Sequence, residues 1–145
     1  MKMNSEKFSD IWEKIETNKK LVENSLSIAK RDLKTAKNMF EDENYDWCLS
    51  VSYNAMLQAG RALMFLQGYR PKGKYKHLAV IEFVKTKFRR KFSNDLLFVF
   101  NKTRKKRHLA IYEQVEIVSE EEAKNALDWA NKFVVESILK KVKND

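Results

Sequence analysis

Glycine and proline are almost missing from this sequence, at 3 and 1 of 145 residues. Sheet proteins need these residues for their turns, so the scarcity argues against a β architecture and for long helices with few loops. Cysteine occurs once, at Cys48, which excludes an internal disulfide framework and a cysteine metal cage within one chain. Flanked by Trp47 and Leu49, it reads as a buried thiol, and this cysteine usage points to the cytoplasm. Two histidines are too few for a histidine-rich metal site, so neither a metal nor another cofactor is expected. No uncharged apolar run is long enough to span a bilayer; Ala55 to Leu66 comes nearest and is broken by Gln58 and Arg61. The opening MKMNSEKFSDIWEKIE is of mixed charge and has no apolar stretch, so it is not read as a signal peptide. A chain independent of membranes is expected. Also missing are a glycine-rich phosphate loop, His-Glu-x-x-His, Cys-x-x-Cys and Gly-x-Ser-x-Gly, which removes most familiar enzyme classes. The acidic pairs fall at solvated helix ends, a poor setting for paired-carboxylate catalysis.

What the chain does have is positive charge, unevenly placed. The net charge is +9, yet Arg70 to Arg107 alone holds 14 Lys or Arg against Glu82 and Asp95. The rest holds 15 basic and 18 acidic residues. Charge needed only for solubility would be spread out; a confined excess points to an anionic partner, RNA or a nucleotide. A merely solvated basic face fits the same count.

The apolar spacing predicts an all-α chain, an antiparallel up-and-down bundle of four to five helices, forming a single domain over residues 1–145. Residues 1–20 are expected as a loosely packed N-terminal helix, with Ser9 to Glu16 as a short amphipathic piece. Leu26, Ala29, Leu33, Ala36 and Phe40 then step by three and four, an apolar helical stripe. Asn44 is placed to cap a second helix, with Asp46 in its first turn. That helix, about Tyr45 to Gln67, is apolar nearly all round and so belongs at the centre. Gly60 costs about 1 kcal/mol in a helix interior, which makes close packing its reason. Gly68 and Pro71 end the helix. Arg70 to Lys76 reads as the clear loop, basic and carrying Tyr75. His77, Val80, Ile81, Val84 and Phe88 mark a third helix, with Arg89-Arg90-Lys91 as its charged exit. Ser93 or Asn94 is suited to cap a fourth, striped by Leu96, Phe100, Thr103, Arg107 and Ala110. Ser119 to Glu122 forms a capping box for the last helix.

The fourth helix carries Arg104-Lys105-Lys106-Arg107-His108-Leu109-Ala110-Ile111-Tyr112. Consecutive cations repel one another, so something must compensate them or they must sit in water. Arg107 occupies a position on the core stripe where an apolar residue belongs. A charge there is costly unless it is paired or lines a cleft. Arg104, His108 and Tyr112 form an adjacent ladder at four-residue spacing. Arginine forks bind phosphate in bidentate fashion, histidine titrates near neutrality and tyrosine stacks on bases. The set therefore suits phosphodiester chemistry in RNA. Each residue also has a plainer reading: Arg107 paired to a buried acid, His108 at the surface, Tyr112 closing the bundle's end. His77 is read as a structural residue of its helix start, with membership of the site as the alternative.

Three stretches carry a resemblance to a known family. They are AKRDLKTAKNMFEDENYDWCLSVSYNAMLQAGRALMFLQGYRP (Ala29 to Pro71), His77 with its helix, and RHLAIY (Arg107 to Tyr112) followed by SEEEAKNALDWANKFV (Ser119 to Val134). Their order and spacing resemble the HEPN family, in the branch with a Tyr-x-Ala-Met core on helix two, over about Ser25 to Lys141. The resemblance implies a helical bundle that pairs as a homodimer. It also implies an RNA-directed function, in many members that of a metal-independent endoribonuclease at the dimer cleft. Many such members are the toxin of a toxin–antitoxin pair whose antitoxin is a nucleotidyltransferase. Carried over, the motif arginine falls on Arg107, its polar neighbour on His108 and the terminal histidine position on Tyr112. In the branch with tyrosine there, which reads Arg-Asn-x-Ala-Asp-Tyr, Ala110 and Tyr112 fit while His108 and Ile111 depart. Arg107, His108 and Tyr112 are thus the expected catalytic set. Arg104, Lys105, Lys106, Arg70, Lys72, Lys74 and Tyr75 are the expected RNA-binding residues. The alternative is a non-catalytic module that binds RNA, a nucleotide or a nucleotidyltransferase partner through the same surface.

Overall fold

The computed structural model describes residues 11–88, 92 and 94–144, and of residues 142–144 only the backbone. The described chain is an all-α bundle of five helices: α1 (Lys19–Glu41), α2 (Tyr45–Leu66), α3 (Lys76–Lys87), α4 (Asn94–Tyr112) and α5 (Glu120–Asn144). A two-stranded antiparallel ribbon, β1 (Trp12–Lys14) with β2 (Tyr69–Pro71), flanks it.

That ribbon corrects two expectations. The part of Ser9 to Glu16 within the described residues forms β1 rather than a helix, and the start of the supposed loop at Arg70 is β2. The reason is partners far along the chain: Trp12, Glu13 and Lys14 pair with Pro71, Arg70 and Tyr69, Ile11 is buried, and Trp12 sets its ring edge-on against Phe83 at 5.5 Å. Gly68, at φ +79°, makes the reversal after α2, and its carbonyl accepts from the Ile15 N–H at 2.8 Å. The charged exit Arg89-Arg90-Lys91 and the cap at Ser93 lie outside the described residues.

Asn18, which the sequence reading passed over, caps α1 by accepting from the Lys20 and Leu21 backbone N–H groups at 2.9 and 3.3 Å. Asn44 stands before α2 but its side chain makes no capping bond. Asp46 also acts elsewhere. Its two oxygens accept from the backbone N–H groups of Glu116 and Val118, at 2.7 and 3.0 Å, and so pin the α4–α5 connection to the start of α2. The capping box forms as read: the Glu122 N–H donates to Ser119 Oγ at 3.1 Å and the Ser119 N–H to Glu122 Oε1 at 3.2 Å.

The nearly continuous apolar surface of α2 puts it at the centre, in contact with all four other helices. α5 runs alongside it in the same direction: Cys48 lies against Ala123 near their starts, and Ile138 packs by Ala62 further along. α1 and α4 run the opposite way, as the pairs Glu23–Lys141 and Lys106–Glu122 require. Gly60 has a specific cause. A Cβ at that position would stand 2.5 Å from Val80 Cγ1, so α3 approaches α2 as closely as only glycine permits. Phe83, Phe100 and Phe133 fill the centre of the core; Phe133 stacks on Phe92 at 5.0 Å and meets Phe100 edge-on at 5.2 Å. Among the described residues no helix is long and apolar enough to cross a membrane.

Candidate functional site

Three helices converge on one cationic cluster. α2 supplies Tyr53 and, about two turns later, Arg61, whose charge acts on His77. α4 supplies Arg104 and Arg107, one turn apart. α3 supplies His77 from its first turn. Tyr53 is fully buried, with its ring 5.8 Å from that of Phe100. Its hydroxyl lies 3.3 Å from His77 Nδ1, and the Arg107 guanidinium carbon sits over its ring at 5.4 Å. Arg104 is held from the other side, its Nε donating to Asn101 Oδ1 at 3.2 Å.

Among the described residues the cluster has no anion of its own: no carboxylate lies in ion-pair range of Arg61, Arg104 or Arg107. The Nε atoms of Arg61 and Arg107 are buried without any hydrogen-bond partner. A buried charged donor left unmet costs roughly 1–3 kcal/mol or more. A cation over an aromatic face returns about 0.5–2 kcal/mol, so the Tyr53 ring offsets only part of this. The plainer reading of Arg107, a pair with an acid of another helix, is therefore not what the described structure contains.

The field of the cluster acts on its neighbours. Burial, and then the charges of Arg107, Arg61 and Arg104, hold the His77 imidazole below its ordinary pKa, so it is neutral at neutral pH. Burial pushes the Tyr53 phenol well up, against the pull of Arg104 and Arg107, which leaves it a protonated donor. A neutral imidazole beside three guanidiniums can bind an anion and accept a proton next to it.

The residues expected from the sequence divide. Arg104 and Arg107 are in the cluster. His108 and Tyr112 are on the solvent side of α4, 64% and 65% exposed; their rings lie 5.2 Å apart, and His108 Nε2 is 3.8 Å from Glu113 Oε1. Lys106 is paired to Glu122 at 3.2 Å and Arg70 to Glu13, whereas Lys105 is exposed on α4. Lys72, Lys74 and Tyr75 lie on the turn leading into His77, with Lys74 Nζ 5.4 Å from the centre of the Tyr75 ring. Sequence reasoning missed Tyr53 and Arg61 as site residues. The signal for Arg61 was available: it is the one full charge between Trp47 and Leu66 of an otherwise apolar helix. Among the described residues no group of three or more His, Cys, Asp or Glu side chains is placed to hold a metal ion.

The HEPN domain family model matches residues 22–141. Solved structures share the fold, the following two among them. TT1696 from Thermus thermophilus is similar at 17% identity and a TM-score of 0.67, over 82% of this chain and 97% of that one. ST0689, an archaeal HEPN homologue, is similar at 19% identity and a TM-score of 0.64, over 86% and 98%. No curated protein matches the chain.

Proposed function

We propose that this chain, which belongs to the HEPN domain family, is an RNA-directed protein that holds a phosphodiester against the guanidiniums of Arg61, Arg104 and Arg107. The observation that carries this reading is the pair of buried, unmet Nε donors on Arg61 and Arg107, in a cluster without a carboxylate among the described residues. Both side chains are partly exposed and have no acceptor within the fold, so their guanidiniums can meet an anion from outside it, and phosphate matches the planar fork best. The concentration of positive charge between Arg70 and Arg107 supports a polyanion over a single small anion.

The test is binding of a labelled RNA oligonucleotide, followed by fluorescence anisotropy, to the protein and to Arg107→Ala and Arg107→Lys. Both variants should bind at least tenfold more weakly, the lysine variant because it keeps the charge and loses the fork. Arg107→Ala should not melt at a lower temperature, since it removes an unmet buried donor. Unchanged binding in Arg107→Ala would remove the reading.

A second reading, a metal-independent endoribonuclease, is favoured by the Tyr53–His77 contact. That contact orients a neutral imidazole beside the guanidiniums. With its Nδ1–H donated to the Tyr53 oxygen, His77 Nε2 would take the 2′-hydroxyl proton, the 2′-oxygen would attack phosphorus and the 5′-oxygen would leave with a proton from water, giving a 2′,3′-cyclic phosphate and a 5′-hydroxyl. His108, Tyr112 and the homodimer cleft belong to the alternative geometry that the family motif implies, as does a nucleotidyltransferase antitoxin as partner. Incubation with RNA in chelator separates them. Cleavage lost in His77→Ala and kept in His108→Ala supports the first geometry, and the converse returns the role to His108. Binding with no cleavage leaves a non-catalytic RNA-binding module.

A further inference from the structure

Beside the cluster lies a groove. α3 and α4 enclose about 660 Å³ between Ile81, Glu82, Lys85 and Thr86 on one side and Asn94, Leu97, Phe98 and Asn101 on the other. The groove adjoins the cluster at one end, through Asn101 and Arg104. His77 is one turn before Ile81 on α3, and Asn101, which lines the groove, is the residue that accepts from Arg104. Its floor is apolar, from Ile81 and Leu97, both buried. Its rim is of another kind. Phe98 is 67% exposed, on a helix face where water favours a polar side chain. Around it stand two amides, a hydroxyl, one ammonium and one carboxylate.

We propose that this groove receives the unpaired bases of single-stranded RNA whose phosphate is held at the arginine cluster, with Phe98 as the stacking platform. The inference rests on the RNA-directed reading above and names the form of RNA that it takes. An apolar floor and an exposed ring reward an unstacked base, whose faces a duplex hides. Asn94 and Asn101 can donate to and accept from base edges, and Glu82 can accept from an exocyclic amino group. Lys85 at the rim and the arginines at the end supply the charge complementarity that an RNA backbone needs and an apolar partner helix would not use.

The experiment compares one RNA sequence as a single strand and as a duplex, binding to the unaltered protein, Phe98→Ser, Phe98→Trp and Arg107→Ala. Size-exclusion chromatography is run on each protein. Phe98→Ser should lose about tenfold to a hundredfold in affinity for the single strand, from the loss of one base stack. It should leave duplex binding unchanged, and Phe98→Trp should restore the single strand. Arg107→Ala should weaken both forms. Equal binding by Phe98→Ser and the unaltered protein, with Arg107→Ala still weak, overturns the groove and leaves the RNA reading standing. No salt-dependent binding of either form by the unaltered protein removes both. A change of oligomeric state in Phe98→Ser, with single-strand and duplex affinity moving together, assigns the groove to a second copy of the chain and overturns the inference.

Discussion

Arg107 shows how far single positions could be read. A guanidinium on the Leu96–Phe100–Ala110 stripe is visible in sequence because the stripe has a fixed period, and the structure seats it in contact with Tyr53 as a half-buried charge. His77 was harder. Nothing along the chain reveals that it faces Tyr53 from another helix, because that contact spans 24 residues. Its environment makes a prediction. The folded state holds the imidazole below the ordinary value of 6.5, so below that value the unfolded chain takes up the proton more readily. The folded state therefore loses stability as pH falls from about 6.5 and loses no more from this group once pH is below the folded value. Urea unfolding midpoints at about pH 7.5 and about pH 5.5 should differ less in His77→Gln than in the unaltered protein. An identical pH response in the two would show that His77 is not held neutral.

Elements were legible where their signals are local and illegible where they depend on partners. The capping box at Ser119, the all-round apolar α2 and the stop at Gly68 were all readable from residues within a turn or two. The β1–β2 ribbon was not, since three-residue strands carry too little pattern and their pairing joins Trp12 to Pro71. Asp46 was assigned to its own helix's first turn. It stands there and also serves a connection 70 residues away, a choice that no local rule supplies. Gly60 belongs to the same scale, because what it permits is the approach of one helix to another. Gly60→Ala gains about 1 kcal/mol of helix propensity. It also drives a Cβ into the stiff, β-branched Val80, an overpacking that typically costs about 1–3 kcal/mol. The variant should therefore melt below the unaltered protein in a calorimetric scan, and adding Val80→Ala should recover part of the loss. A rise in melting temperature for Gly60→Ala alone would mean that the two helices can part without cost.

At the scale of the whole molecule, the bundle was the most readable feature, since scarce turn residues and repeated three- and four-residue spacings all point one way. The site was half readable. Charge along Arg70 to Arg107 gave the candidate site's sign and rough place, but that His77 lies by the arginines from α3 while His108 faces solvent on α4 is not legible along the chain. The same charge sets a macroscopic expectation. RNA affinity should fall steeply between about 50 and 200 mM salt, and Arg107→Ala should flatten the slope of log affinity against log salt by about 0.7. A flat response in the unaltered protein would mean that the positive segment is merely hydrated. One last feature reaches beyond function. The only thiol, Cys48, is wholly enclosed, its sulfur against the Ala123 carbonyl, and burial pushes its pKa up. An alkylating reagent can meet it only while α2 and α5 are apart, so the pace of labelling at one atom counts how often the native molecule breathes open.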